Sequence, residues 1–73
     1  MSESSAEICR RNNWTAGTIL EAEDEFCTTQ IVITAVGERC VLAKAIMRDS
    51  EPVEPYELNW TLEFRKWRKV GGQ

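Results

Sequence analysis

The sequence predicts an all-β domain of four to five short strands, and three observations carry that prediction. Residues 30–34 (QIVIT) and 40–47 (CVLAKAIM) are apolar runs of strand length, separated by a short segment that contains Gly37. The first is dense in side chains whose branched Cβ suits a pleated strand. Residues 56–63 (YELNWTLE) alternate apolar and polar without a break, the period of a strand with one face on the core. A buried helix is the competing reading of the short apolar runs, but ITAV followed by glycine argues against it.

Taken in order, residues 1–13 (MSESSAEICRRNN) are polar and are expected to form a flexible arm. The alternative there is one helical turn capped by Ser4 or Ser5, with Glu7 in its first turn, docked through Ile8. The folded domain is then 14–70. Trp14, Gly17, Ile19 and Leu20 give a large anchor, a glycine bend and a first strand over Thr18–Ala22, ended by the acidic turn Glu23–Glu25. A second strand covers Thr28–Thr34. The chain reverses over Val36–Arg39, where Gly37 is expected to take the positive φ that a hairpin loop or bulge requires.

The third strand, Cys40–Met47, places Val41, Ala43, Ala45 and Met47 on one face and Cys40, Leu42, Lys44 and Ile46 on the other. Both faces are largely apolar, which marks a central strand, and the alanines leave room for close approach of another element. Arg48–Pro55 holds both prolines and is expected to be a mobile loop. Tyr56, Leu58, Trp60 and Leu62 then form the core face of an amphipathic strand. Phe64–Val70 is expected to be a turn with a short final strand, or a single helical turn through Phe64 and Trp67, and 71–73 a tail. Such elements predict a small SH3-like barrel or a rolled antiparallel sheet.

Length bounds the stability. A chain of 73 residues forms one domain whose core supplies roughly 3–5 kcal/mol, so a staple or a partner is expected. The three cysteines, Cys9, Cys27 and Cys40, are isolated and there is no histidine, which excludes Cys₂His₂ and Cys₄ metal sites. No cofactor is implied. Cys27 and Cys40 flank the hairpin, so a cross-strand disulfide is one reading; reduced thiols of a cytosolic protein are the favoured one. Self-association is therefore the expected supplement to the core. The polar N-terminus lacks the apolar region of a signal peptide, and no run approaches the ~18 apolar residues of a membrane span, so a cytoplasmic location without a membrane partner is expected.

The net charge of −3 defines no class of partner, but the charges are segregated. Residues 21–25 (EAEDE) carry four carboxylates, and residues 64–70 (FRKWRKV) four cations and no acid. Along the sequence this makes a polarised chain that would steer a partner or a second copy.

The residues Trp14-x-x-Gly17, Ile33-Thr34-Ala35-Val36-Gly37-Glu38, Val41-Leu42-Ala43 and the closing Trp67-Arg68-Lys69-Val70 resemble a group of small β-domain proteins encoded by bacteriophages and prophages. The resemblance covers about residues 14–70. The chain departs from the pattern at Thr18, where the group carries an acid, and in its long acidic segment before the hairpin. The resemblance implies a small β fold and an accessory protein of a mobile element, and it assigns no site residue.

Three function classes follow. Enzymatic chemistry is disfavoured: there is no histidine to shuttle protons near neutral pH, and no cysteine lies beside a base in the sequence. Nucleic-acid binding would use Arg65, Lys66, Trp67, Arg68 and Lys69, the aromatic ring stacking on bases and the cations neutralising phosphates. The same pattern also describes Trp67 and Val70 closing the core while the cations protect an edge strand. Protein binding is the leading expectation. A small core, an acidic segment, and Trp14, Tyr56 and Trp60 as candidate anchors suit a module that docks on another protein of unknown identity, such as a host factor, or on itself.

Overall fold

The computed structural model describes residues 3–23, 27–63 and 66–72. The chain begins with helix α1, Ser5–Asn12. Ser4 caps it in a reciprocal capping box: its hydroxyl accepts the Glu7 N–H at 3.2 Å while its own N–H donates to the Glu7 carboxylate at 3.4 Å. Asn13 ends it in the left-handed region at φ 58. Eight residues are too few to hold a helix alone in water, so packing must complete it. Ser5, Ala6 and Cys9 supply a buried stripe at i, i+1 and i+4. The Arg10 guanidinium clasps the carbonyls of Gly37 and Glu38, each at 2.9 Å. The expected arm over 1–13 is thus corrected: from Ser4 onward the segment is a capped helix whose Ala6 and Cys9 belong to the core.

Six strands follow: β1 Ile19–Glu23, β2 Thr28–Val36, β3 Val41–Arg48, β4 Glu51–Pro52, β5 Glu57–Trp60 and β6 Arg68–Gly71. They form an antiparallel sheet in the order β4-β3-β2-β1-β6, with β5 also paired to β3. The outer edge of β3 is therefore shared, Val41–Lys44 pairing with β5 and Met47–Arg48 with β4. No ladder joins β5 to β6 among the described residues, so the sheet is open. The core-facing row runs through Leu20, Ile31, Ile33, Val41 and Ala43, covered by α1 and by Leu62.

Four local expectations change. Gly37 does not adopt positive φ; Asn13, Gly17, Asp49, Ser50 and Gly72 do. The β2–β3 turn is closed by the Gly37 N–H on the Cys40 carbonyl at 2.8 Å, and extra residues enter the ladder as irregularities beside Ile31 and between Ile33 and Ala35. The slip beside Ile31 moves Met47 off the face it was assigned, because it pairs with Gln30 whereas Ala45 pairs with Ile31. The expected loop over Arg48–Pro55 contains a hairpin, in which Asp49 (φ 54) and Ser50 (φ 67) form a two-residue turn of the type whose twist matches that of the strands. Of the expected 71–73 tail, Gln73 lies outside the described residues and the two glycines enter the fold: Gly71 pairs with Ile19, and Gly72 lies so close to the Gly17 carbonyl that a Cβ there would collide with it.

The hairpin register also disposes of the Cys27–Cys40 disulfide. Cys40 sits at the turn and Cys27 beyond the far end of the ladder. At about 3.3 Å per residue they are on the order of 25 Å apart, where a disulfide needs Cα atoms within ~7 Å.

Candidate functional site

The β5 strand positions the most conspicuous surface feature. Its alternation is real, but its core face is only half used. Trp60 is half-buried and Leu62, just beyond the strand, is 2 % exposed, whereas Leu58 is 56 % and Tyr56 65 % exposed. The cause lies on the neighbouring strand. Trp60 is opposite Val41 and Leu58 opposite Ala43, so Tyr56 continues that row toward Ala45. Directly opposed residues share a face. Alanines offer no bulk to cover the larger side chains, and α1 packs toward the other end, reaching Arg39 and Leu62.

The result is an apolar groove of about 250 Å³ lined by Ala45, Val53, Tyr56, Leu58 and Trp60, with Arg48 and Glu54 at its rim. The Tyr56 hydroxyl donates to the Glu54 carboxylate at 2.7 Å, which holds the ring at the mouth. The indole N–H of Trp60 is buried without an acceptor among the described residues. Its ring meets that of Trp67 edge to face, 6.0 Å apart at 85°.

The basic segment is arranged differently from its appearance in the sequence. Arg65 lies outside the described residues. Trp67 is half-buried and packs against the core, with its indole N–H buried and also lacking an acceptor among the described residues. Arg68 donates to Glu21 across the β1–β6 ladder at 2.8 Å and approaches Glu23 at 3.6 Å. Lys66 and Lys69 are exposed. Strand pairing therefore sets Glu21 and Glu23 beside Arg68, and the charge separation seen along the chain is partly cancelled in space.

A larger cleft, about 460 Å³, opens beside Trp14 and Val36, with Cys9 at its floor. Burial pushes the Cys9 thiol up to about 11, against the opposing pull of Arg10, so the thiol is protonated at neutral pH. That state suits packing rather than nucleophilic attack. Among the described residues no helix is long and apolar enough to cross a membrane.

Sequence reasoning placed Tyr56, Leu58 and Trp60 on the core face of one strand and also offered Tyr56 and Trp60 as interface anchors, without deciding between burial and exposure. The signal for the open groove was present in Ala43 and Ala45, small residues that leave room for another element to approach.

A family described as a domain of unknown function, DUF7241, matches residues 3–72, and the chain belongs to it. No curated protein and no solved structure matches the chain.

Proposed function

We propose that this member of that family is a non-enzymatic protein-binding module, and that its docking surface is the groove formed by Ala45, Val53, Tyr56, Leu58 and Trp60. The observation that carries the reading is the outward position of Tyr56 and Leu58 beside a half-buried tryptophan. A ring and an isobutyl group left in water cost solvation free energy at about 25 cal/mol per Å² of apolar surface, which a partner would recover. Tyr and Trp also concentrate binding energy where they are rimmed by polar groups, as Arg48 and Glu54 do here.

Cys9 and Cys40 are free thiols, which supports placing the protein in a reducing cytoplasm. The resemblance to phage and prophage proteins supports an accessory role. The nucleic-acid reading is less well supported, because Arg68 is already paired with acids and Trp67 is turned inward.

Replacing Tyr56 with a benzophenone amino acid and irradiating cells that produce the protein tests the proposal. A discrete protein adduct at position 56, missing when the photoreactive residue stands at exposed Glu38, is the expected result. The same adducts at both positions, or none at 56, would refute it.

A further inference from the structure

Resting on that reading, we infer that the occupant of this surface is a second copy of the chain, added edge to edge at β5 with Leu58 on a two-fold axis. Among the described residues the sheet has two open edges, β6 and the β4–β5 side. Edge strands are normally protected by charged side chains, lysine above all, by prolines or by bulges, and the one charge on β5, Glu57, is offset by Lys44 opposite it. The β6 edge carries Arg68 and Lys69, and the β4 part of the other edge carries Pro52, with Pro55 just after it. Only residues 56–60 (YELNW) have neither a cation nor a proline. Beyond their pairing with β3, no hydrogen bond involves Glu57–Trp60 among the described residues.

The side chains choose the register. In antiparallel self-pairing about Leu58, Leu58 faces Leu58 of the second copy, Tyr56 faces Trp60, and Glu57 faces Asn59. All three apolar side chains then meet apolar neighbours on one face, the arrangement that favours cross-strand pairing, and no like charges are opposed. A slip of one residue would set each polar face beside an apolar one. Centring on Glu57 would oppose two carboxylates, and centring on Asn59 would leave Tyr56 without a counterpart. Within each copy Glu57 already faces Lys44 on β3, so the edge is close to neutral. Ala43 and Ala45 leave the space that the incoming rings need.

Five residues a side with one shallow groove fall short of the ~800 Å² per partner of a stable interface, so the dimer is a weak one.

Sedimentation equilibrium from about 1 μM to about 500 μM, the range in which weak dimers form, tests the inference. The wild-type mass is expected to rise from 8.4 kDa toward twice that value. Leu58→Glu, which opposes two carboxylates on the axis, is expected to hold the chain at one copy throughout. Two milder variants keep the register testable should that one not fold. Asn59→Lys brings a cation opposite Glu57 twice and is expected to tighten the dimer several-fold at low salt; Asn59→Asp is expected to loosen it by a similar factor.

A wild-type chain that stays at 8.4 kDa, or equal shifts for the two Asn59 variants, would overturn the inference. A monomer that still gives a cross-linked adduct of a different protein at position 56 would overturn the dimer while leaving the docking surface standing.

Discussion

Ser5→Ala offers a sharp test of how the N-terminal helix is held. Ser5 is 4 % exposed, and its hydroxyl accepts the N–H of Leu62 at 2.9 Å, a bond spanning 57 positions of sequence in a buried place. Removing the oxygen leaves that N–H without a partner where water does not reach, at a cost of about 1–3 kcal/mol. The neighbouring Ser4→Ala removes the helix cap instead, in an exposed place, at a cost of about 1 kcal/mol. For a domain this small, about 2 kcal/mol is near half of the total stability and lowers the melting temperature by about 8–16 °C. Urea unfolding followed by tryptophan fluorescence measures both variants on the same footing. Ser5→Ala is expected to be clearly the more damaging, although it removes one hydrogen bond and Ser4→Ala disrupts a capping box. Equal, small losses for the two would mean that α1 frays as an arm and does not close the core.

Three further outcomes follow from particular contacts. Because burial raises the Cys9 thiol from 9.0 to about 11, the protonated form is favoured in the folded state. Its contribution is complete below about pH 9 and is lost as the pH rises through 11, where Cys9→Ala should flatten the measured decline in stability. A thiol reagent at neutral pH should label Cys40 rapidly and Cys9 only on unfolding, which mass spectrometry of the labelled peptides reads directly. In the β3–β4 turn, Ser50→Gly should stabilise the protein by about 1 kcal/mol through relief of a left-handed conformation. Asp49→Gly should gain nothing in the same denaturation assay, since the Asp49 carboxylate accepts the Thr28 N–H at 2.9 Å and glycine forfeits that bond.

The strands were legible because their signals are local. The β-branched run at 30–34 and the alternation at 56–63 report the pleat directly, and they lie within or beside β2 and β5. Three features depend instead on what lies opposite in space. Ser4 and Glu7 announced a cap, but a polar eight-residue helix becomes credible only once Ser5 meets Leu62 and Arg10 meets the β2–β3 turn. The β3–β4 turn used Asp49 and Ser50 in place of the glycine that usually marks such a turn. The segregation of charge between 21–25 and 64–70 dissolved in part because the last strand pairs with the first. For the candidate site, the common face of Tyr56, Leu58 and Trp60 was legible and its partial exposure was not, because exposure at Tyr56 and Leu58 is decided by the size of Ala43 and Ala45 on the adjacent strand.

The pairing of β6 with β1, and of Gly72 against Gly17, has a kinetic consequence. The strand that completes the sheet beside β1 follows every other strand in sequence, and α1 finds its buried partner only at Leu62. Local hairpins can form early, but closure of both ends must wait for contacts between distant parts of the chain, whose loop entropy slows folding. A nascent chain will therefore hold its core half covered until Leu62 and β6 have emerged.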